Sequence, residues 1–533
     1  MTGILKKACT WLSQSALARR WKRGGHDLFN DAMWTLFAKV AMQASQLATF
    51  IIAARVLTSA EFGLFSYVAA LVALLVVAAE GGWREFVMKT THEDDRVDQI
   101  ATVAMLAGCV ASMIGLGGAA ALAFQLGMTA EALLVLLFSL WVLITPFGSV
   151  LEGVLIAEAR LKELSVIRIL AEVGATLIAI YGLVQGWNIY ALALGKPVSQ
   201  LVVTGLLLMR LDWRPRIRIK ASFFREAFEF SKHITANRVL VLFRSYSGTL
   251  VVGSVLGLAD AGYYRAAERI VSAFTDLVGE PARQIAWSTL RRVAIATGEP
   301  NPATSAQTDA GTEVRTEART QALGRKATGF LILLMVVSIP IYIGLALMSG
   351  TLVNVVLGDS WAPAAILVSL LSLKQILLVP GYVTEPLLSL AGAIRKVPAA
   401  ILLNSIVSIG LIVVMAPLGV TAAAAGQMLA AIFSILVSGW LQSRYGAVRW
   451  QSVIWGSLLP LCGAGAMVVT VITLGQAGSD SLQAGLGVNL AQALAGALAY
   501  TLTLAVIYMI SCKLRPQKLT DWSDDIDHVA NRV

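Results

Sequence analysis

The chain has 533 residues, of which 57% are hydrophobic and only 14% charged, and its formal net charge at pH 7 is +10. A soluble domain carries roughly 25% charged residues, so this composition excludes a water-soluble globular protein and indicates one that spans a membrane. A spanning helix needs about 20 mostly apolar residues, and the chain is long enough to hold a dozen or more.

Fourteen apolar segments are predicted to be membrane-spanning helices, which gives an all-α polytopic membrane protein. The breaks between the segments are short, as is typical of helices that pack as antiparallel neighbours. The predicted spans cover residues 31–57, 61–83, 98–124, 131–157, 164–186, 188–210, 228–257, 261–290, 327–350, 361–390, 396–416, 419–442, 451–475 and 488–512.

Two polar segments lie outside these spans. Residues 1–25 place apolar side chains among basic ones, which favours an interfacial helix over a disordered basic tail. Residues 297–322 are rich in Thr, Ala, Gly, Pro, Glu and Asn and predict a flexible cytoplasmic linker. The four cysteines show neither disulfide nor metal-ligand spacing, and we expect no metal or other cofactor.

The basic residues orient the predicted bundle. Lys and Arg are concentrated in the N-terminal tail and in every second loop, for example in residues 211–220 after the sixth span. The positive-inside rule therefore places both termini in the cytoplasm. The net charge follows from this topology and from attraction to anionic lipid headgroups, so it requires no nucleic-acid partner.

A short phrase occurs twice in the chain. Val56-Leu-Thr-Ser-Ala-Glu-Phe-Gly-Leu-Phe is followed 199 residues later by Val255-Leu-Gly-Leu-Ala-Asp-Ala-Gly-Tyr-Tyr. Both copies share the pattern V-L-x-x-A-[DE]-x-G, and each lies in a break between two predicted spans. Six spans separate them, an even number, so the repeat predicts two parallel six-helix lobes followed by two C-terminal helices.

The repeat and the spans together predict the domain organisation. A basic tail, with the interfacial helix, precedes an N-lobe of six spans, a cytoplasmic linker, a C-lobe of six spans that contains the flexible loop, two further spans and a cytoplasmic tail. These parts cover residues 1–30, 31–210, 211–227, 228–442, 451–512 and 513–533.

Several ionisable residues fall inside predicted spans, where charge is costly and usually faces a cavity or a partner. In the eighth span the polar residues recur at steps of three and four, which places them on one helix face. Cations from both predicted lobes outnumber the acids near them, and an uncompensated buried cation is destabilising. The pattern therefore predicts an anion-binding cavity lined by Lys39, Arg238, Arg244, Arg265, Arg269 and Lys374.

The alternative is that these residues are structural ion pairs, such as Arg265 with Glu268 or Arg269 with Asp276. Charges near span ends, such as Arg84, can instead extend to the interface. No G-x-x-x-x-G-K-[ST] phosphate-binding loop is present, so an ion gradient is the expected source of energy. Asp276, Glu280 and Glu385 are then candidate ion-coupling residues, with structural pairing as the alternative for each.

The sequence resembles the polysaccharide-transporter (Wzx-type) branch of the multidrug/oligosaccharidyl-lipid/polysaccharide flippase superfamily. The resemblance rests on the two repeated phrases, on Gly81-Gly82-Trp83-Arg84-Glu85 and on Val356-Leu-Gly-Asp-Ser-Trp-Ala-Pro-Ala-Ala. It covers residues from about 30 to 510. The family implies a two-lobed fold of twelve to fourteen helices around a cationic cavity, and transport of undecaprenyl-pyrophosphate-linked oligosaccharide by alternating access.

We therefore expect a flippase of the bacterial inner membrane, not an enzyme, that serves exopolysaccharide, capsule or O-antigen synthesis. Its expected partners are the lipid-linked oligosaccharide, membrane lipids and the polysaccharide polymerase and chain-length machinery. One alternative is a membrane polymerase or ligase, which is disfavoured because the predicted external loops are short. Another is transport of a different cargo, either a peptidoglycan precursor or a drug.

Overall fold

A computed structural model describes residues 16–90, 94–158, 160–211, 213–218, 220–297, 309–478 and 486–514. This part of the chain consists of α-helices, short 3-10 turns and connecting loops, which confirms the predicted all-α class. The helices are α1 (Ala16–Val56), α2 (Ser59–Glu80), α3 (Trp83–Lys89), α4 (Asp94–Phe124), α5 (Thr129–Ala157), α6 (Leu161–Val184), α7 (Asn188–Arg210), α8 (Ala221–Val255), α9 (Leu258–Ala296), α10 (Asp309–Leu347), α11 (Ser349–Leu357), α12 (Ala364–Leu378), α13 (Gly381–Leu390), α14 (Val397–Met415), α15 (Val420–Gly446), α16 (Trp450–Gly478) and α17 (Leu486–Leu514).

When only long apolar helices are counted, the structure has fewer spans than the sequence predicts. Twelve helical segments among the described residues are long and apolar enough to cross a membrane, so the predicted count of fourteen is not confirmed. The helices α8 and α9 occupy the predicted seventh and eighth spans and are long enough to cross. They fall outside the twelve because their charges, including Arg238 and Arg244 in α8, lower the mean hydropathy.

The predicted polar segments are partly described. The helix α1 begins at Ala16, while residues 1–15 of the proposed interfacial helix lie outside the described residues. The helix α10 begins at Asp309, so the second half of the predicted flexible loop is helical. Its sequence from Thr312 onward is rich in Ala, Arg, Glu and Gln, which are good helix formers. Residues 298–308 and the tail from residue 515 lie outside the described part.

The chain divides into two compact units, Met1–Gly262 and Tyr263–Val533. The first contains α1 to α8 and the first turn of α9, and the second contains the remaining helices. The helix α8, which was predicted to open the C-lobe, therefore packs with the first unit. Aromatic stacking accounts for this, because the Phe86 ring of α3 lies 4.5 Å from the Phe230 ring and 5.7 Å from the Phe223 ring of α8. The predicted lobe boundaries stay a prediction.

Both copies of the repeated phrase form helix–helix turns at equivalent positions. The first joins α1 to α2 and the second joins α8 to α9, as the sequence predicts. Their local chemistry differs at the turn. Thr58 caps α2 in a capping box with Glu61, with 2.9 Å between the Thr58 nitrogen and a Glu61 carboxylate oxygen. The equivalent Gly257 has a φ of 105°, a conformation that favours glycine.

The two copies contact each other reciprocally through the glycine of the shared pattern, Gly63 in the first copy and Gly262 in the second. A Cβ atom placed on Gly63 would lie 1.7 Å from the backbone oxygen of Leu258. A Cβ atom placed on Gly262 would lie 2.0 Å from the backbone oxygen of Ser59. The first carbonyl group of each helix therefore packs against the glycine of the other copy. A side chain at either glycine would clash with that carbonyl.

The tenth predicted span is broken at Pro380, which lacks the N–H group that a continuous helix requires. The helix α12 ends at Leu378, and α13 begins after Pro380. Gln442 of α15 fixes the break, because its Nε2 donates to the Pro380 carbonyl oxygen at 2.8 Å and to Thr384 Oγ1 at 2.8 Å. The Pro380 carbonyl also accepts from the Val383 nitrogen at 3.3 Å, so the amide adds a second, shorter hydrogen bond at the break.

Candidate functional site

An ion-pair network in the first unit is centred on a buried carboxylate. Glu152 of α5 is 8% exposed, and its Oε2 lies 2.9 Å from Arg84 Nη2 and 2.6 Å from Arg168 Nη2. Arg168 also donates through Nε to Glu152 Oε1 at 3.2 Å, so this pair is bidentate. Arg84, which the sequence suggested could extend to the interface, is instead paired within the bundle.

The same network neutralises one of the predicted cavity cations. Arg238 of α8 pairs with Glu85 of α3 at 2.7 Å and with Glu80 of α2 at 3.6 Å. Arg84 also reaches Glu80 at 3.5 Å, which joins the two groups of charges. The network therefore contains three arginines and three glutamates, and the argument from uncompensated charge does not hold at Arg238.

Arg244 differs from Arg238, although the two lie six residues apart on α8. Its side chain is exposed, and it makes no hydrogen bond or ion pair within the part of the chain that the structure describes. A guanidinium is always charged and presents five donors. Of the predicted cations, Arg244 is thus one whose donors remain available to a ligand.

The polar face of α9 begins with ion pairing in the second unit. Arg265 Nη1 lies 3.2 Å from Glu268 Oε2, so the ion pair named by the structural alternative is formed. Arg269 and Asp276 lie on the same helix, and each has an interaction partner in the structure. Farther along, Glu280 pairs with Arg283 at 2.5 Å and accepts from Gln284 at 3.2 Å.

The remaining predicted site residues lie on separate helices. Lys39 is exposed on α1 and has an interaction partner. Lys374 of α12 donates to Gln427 Oε1 of α15 at 3.0 Å, and the Gln427 amide donates to Ser408 Oγ of α14 at 3.0 Å. Glu385 of α13 is exposed and makes no hydrogen bond or ion pair with any residue in the described ranges.

One acidic residue of the first unit was missed by the sequence reasoning. Glu172 of α6 accepts hydrogen bonds from Gln46 Nε2 of α1 at 3.0 Å and from Ser199 Oγ of α7 at 3.3 Å. Thr49 Oγ1 and Thr176 Oγ1 lie 3.5 Å apart one turn along these helices. The helices α1 and α7 thus bring a neutral amide and a neutral hydroxyl to one carboxylate on α6. Its position in the middle of the fifth span was a signal, because intramembrane acids are rare.

A cation on α7 was missed as well. Lys196 precedes Pro197 in the middle of the sixth span, and its side chain is exposed. It makes no hydrogen bond or ion pair with other residues in the described part of the chain. The sequence signal was again a charged residue inside an otherwise apolar segment.

A surface counterpart to these pairs lies in the loop between α5 and α6. Arg160 donates to Glu163 at 2.7 Å and to Glu158 at 2.8 Å. The hydrogen bond to Glu163, followed by that to Glu158, raises the pKa of Arg160 above its ordinary value. Because the Arg160 and Glu163 side chains are both accessible to solvent, at 30% and 43%, their pair contributes little to stability.

Comparison with known sequences relates part of the chain to polysaccharide synthesis. Residues 52–297 match a family described as "Polysaccharide biosynthesis protein". The succinoglycan biosynthesis transport protein ExoT of Rhizobium meliloti (strain 1021) is 25% identical over 242 residues, which make up 45% of this chain and 49% of that protein. The chain thus spans about half the length of this curated relative in the alignment.

Comparison with solved structures identifies the fold. A structure described as "Lipid II flippase MurJ, inward closed conformation" has a TM-score of 0.67 and 12% identity, covering 90% of this chain and 99% of that chain. An inward-facing multidrug resistance MATE family transporter has a TM-score of 0.58 and 14% identity, covering 77% and 96%. At these identities the similarity shows the fold alone.

These findings agree with what the sequence predicted. The family match and the similarity to ExoT confirm the predicted resemblance to polysaccharide transporters, and the solved structures agree with the predicted fold. The curated relative is described as a transport protein, and this sequence similarity agrees with the prediction of a transporter. Together with the twelve apolar helices, these findings identify a multi-pass membrane protein.

Proposed function

We propose that the chain is a flippase that moves polyprenyl-pyrophosphate-linked oligosaccharide from the cytoplasmic to the outer leaflet of the bacterial inner membrane. Both termini then lie in the cytoplasm, as the distribution of basic loops predicts. The exported units serve exopolysaccharide, capsule or O-antigen synthesis, with the polymerase and chain-length machinery as downstream partners. The kinship with ExoT, described as a succinoglycan transport protein, supports this class of cargo.

The observation that carries the proposal is that the Arg244 side chain has no hydrogen-bond or ion-pair partner among the described residues. A membrane-embedded guanidinium without a protein counter-charge is destabilising, and a ligand with two phosphate groups would remove that instability. Arg is well suited to the role because its planar fork binds phosphate oxygens in pairs. The other cations proposed to contact the cargo are Lys39, Arg265, Arg269 and Lys374. Arg238 is proposed to act indirectly, through the network that holds α8 against α2 and α3.

The chemistry of the cargo explains why such a protein is needed. Transferring an isolated phosphate charge into hydrocarbon costs on the order of tens of kcal/mol. A polar, cationic path replaces the water around the pyrophosphate and the sugars, while the polyprenyl chain remains in lipid. Net movement against a gradient requires coupling to another ion. Glu385 and Glu172, which have no cation partner among the described residues, fit this role better than the paired Glu280; Asp276 is retained as a third coupling candidate.

The proposal is tested in a strain that lacks the chromosomal gene. We expect loss of the exported polysaccharide and accumulation of its lipid-linked repeat unit on the cytoplasmic leaflet, both reversed by the wild-type protein. Arg244→Gln, Arg265→Gln and Arg269→Gln should fail to restore export at unchanged membrane levels. Arg292→Gln, at the exposed end of α9, serves as the matched control and should restore it.

Three outcomes would contradict the proposal in different ways. Normal export in every single variant and in the triple variant would overturn the assignment of the cations. Accumulation of a peptidoglycan precursor in the deletion strain would overturn the cargo. Conversion of the lipid-linked unit into longer glycans by the purified protein would overturn the transporter and favour a polymerase.

A further inference from the structure

The most unusual charge outside the predicted site is Lys196 of α7. It follows the first residue of α7 by eight positions, about 12 Å along the helix axis, so its Cα atom lies well inside the span. Among the described residues, no acid or hydrogen-bond acceptor contacts it. Intramembrane lysines normally face a partner or a water-filled space. No partner is present in the described part of the chain. Whether Lys196 faces lipid or a water-filled space therefore depends on which side of α7 it occupies.

The exposed side of Lys196 is not the lipid-facing side of α7. The large apolar residues most exposed on this helix, Leu201, Val202 and Met209, lie about 140° to 240° around the axis from Lys196. The residues on the side of Lys196 are buried, with Val203 at 7% and Leu207 at 0% exposure. Lys196 is thus accessible on the face that otherwise packs inside the first unit, which indicates a gap within that unit.

The next turn of α7 shows which helices border this gap. Ser199 donates to Glu172 of α6 at 3.3 Å. Gln200 faces α5, because a Cβ atom placed on Gly148 would lie 2.2 Å from Gln200 Nε2. Lys196 lies three residues before Ser199 and four before Gln200, so on the helix surface it lies between the two. The gap is therefore bordered by α5 and α6, and Ser199 and Gln200 lie one helical turn from Lys196.

Lys196 also lies at a depth similar to that of Arg244. Arg244 precedes the end of α8 by eleven residues, about 16 Å, and the predicted topology places that end on the same side as the start of α7. Both cations belong to the first unit, and neither is neutralised by a described residue.

We propose that Lys196 is an anion-binding residue within the first unit and takes a phosphate group of the cargo. This inference rests on the proposed function and adds a residue to its binding site. A lysine ammonium is a compact charge that suits a single phosphate oxygen. The Gln200 amide has two N–H donors and gives one to Thr204, so the other can contribute a neutral hydrogen bond. Glu172 supplies a negative charge about one turn away, which opposes binding of the anion and favours its release.

Binding measurements on the purified full-length protein in detergent test the proposal. The probes are farnesyl pyrophosphate, farnesol and inorganic pyrophosphate. Lys196→Gln should weaken binding of farnesyl pyrophosphate by about tenfold or more and leave binding of farnesol unchanged. Glu172→Gln should strengthen pyrophosphate binding several-fold, because a repulsive charge is removed. Effects of opposite sign in the two variants cannot arise from general unfolding.

Two controls make the result specific. Lys196→Arg should retain binding because it keeps the positive charge. Lys162→Gln should also bind like the wild type, since the Lys162 ammonium lies 5.3 Å from the centre of the Trp34 ring, near the start of α6. Inorganic pyrophosphate should compete with farnesyl pyrophosphate in the wild type if the phosphate groups are recognised, whereas competition by farnesol alone would indicate lipid recognition and overturn the proposal.

The outcomes separate this inference from the proposed function. Wild-type affinity in Lys196→Gln, together with loss of affinity in Arg244→Gln, overturns the role of Lys196 and leaves the flippase proposal intact. Equal loss of farnesol and farnesyl pyrophosphate binding in Lys196→Gln also overturns it. Absence of pyrophosphate binding by the wild-type protein overturns the proposed function itself.

Discussion

Arg238 and Arg244 occupy the same helix and face opposite electrostatic conditions. Arg238 is held by Glu80 and Glu85, whereas the Arg244 side chain has no hydrogen-bond or ion-pair partner in the described ranges. The two residues are equal in charge, and their local sequences do not distinguish them. The difference comes from the helices that pack against α8, so the role of an intramembrane charge depends on its neighbours in space.

The largest loss of stability is expected for a change at Glu152, which pairs with both Arg84 and Arg168. In Glu152→Gln, Arg84 and Arg168 lose their common counter-charge inside the first unit. Breaking a buried ion pair from one side costs about 3–5 kcal/mol. We expect a marked fall in the thermal unfolding midpoint of the purified protein, measured by tryptophan fluorescence in detergent.

A surface ion pair provides the control for that experiment. Glu163→Gln removes one partner of Arg160, where both side chains are accessible, and exposed pairs contribute about 0–1 kcal/mol. Its midpoint should remain close to that of the wild type. Equal midpoints for the Glu152 and Glu163 variants would show that the network around Glu152 is not a determinant of stability.

A smaller loss of stability is expected for Arg238→Gln. This change leaves Glu85, whose Oε2 is already buried without a hydrogen-bond partner, with one interaction fewer. An unsatisfied buried polar group costs about 1–3 kcal/mol. The double variant Arg238→Gln with Glu85→Gln should recover part of the loss in the same assay, because it removes the stranded charge. A double variant less stable than either single one would contradict the pairing.

A still smaller effect on stability is expected for Glu172→Gln. The partners of Glu172 are neutral, and the glutamine carbonyl can accept a hydrogen bond from Gln46 or Ser199 as the carboxylate does. Losing one neutral hydrogen bond costs about 0.5–1.5 kcal/mol. Thermal unfolding and export should be measured together. Loss of export without loss of stability would assign Glu172 to transport, and a fall as large as in Glu152→Gln would show that it is structural.

The smallest effect on stability is expected for Arg244→Gln, because no described residue loses a hydrogen bond or an ion pair. Its unfolding midpoint should match or exceed that of the wild type, while export is lost. Arg244→Gln is thus expected to abolish export without lowering the unfolding midpoint, whereas Arg238→Gln is expected to lower the midpoint. A fall in the midpoint comparable to that of Arg238→Gln would erase the distinction.

The sequence predicted the features that depend on local chemistry. The helix–helix turns at both copies of the repeated phrase follow from their short breaks, and the bend at Pro380 follows from its missing N–H. The pair of Arg265 with Glu268 was also available as an alternative, since residues three apart share a helix face. Such features need no knowledge of packing.

Long-range packing explains what the sequence did not predict. Neutralisation of Arg238 requires acids that lie more than 150 residues earlier in the chain, and helix pairing cannot be read from composition. The same holds for the hydrogen bonds of Glu172, whose donors come from two other helices. Lys196 is a single charge in an apolar span, so no repeated pattern of charges on its helix face marks it in the sequence.

The reciprocal contact of Gly63 and Gly262 has a consequence for topology mapping with reporter fusions. A fusion truncated after residue 210 lacks α8 and the second phrase, so α2 loses both the facing backbone and the hydrogen bond of 2.9 Å between Tyr67 and Ser254. Such a hybrid is expected to be degraded, and a weak signal from it would report proteolysis instead of sidedness. Fusions placed after Gly262 retain both phrases and therefore give the first interpretable points on such a map.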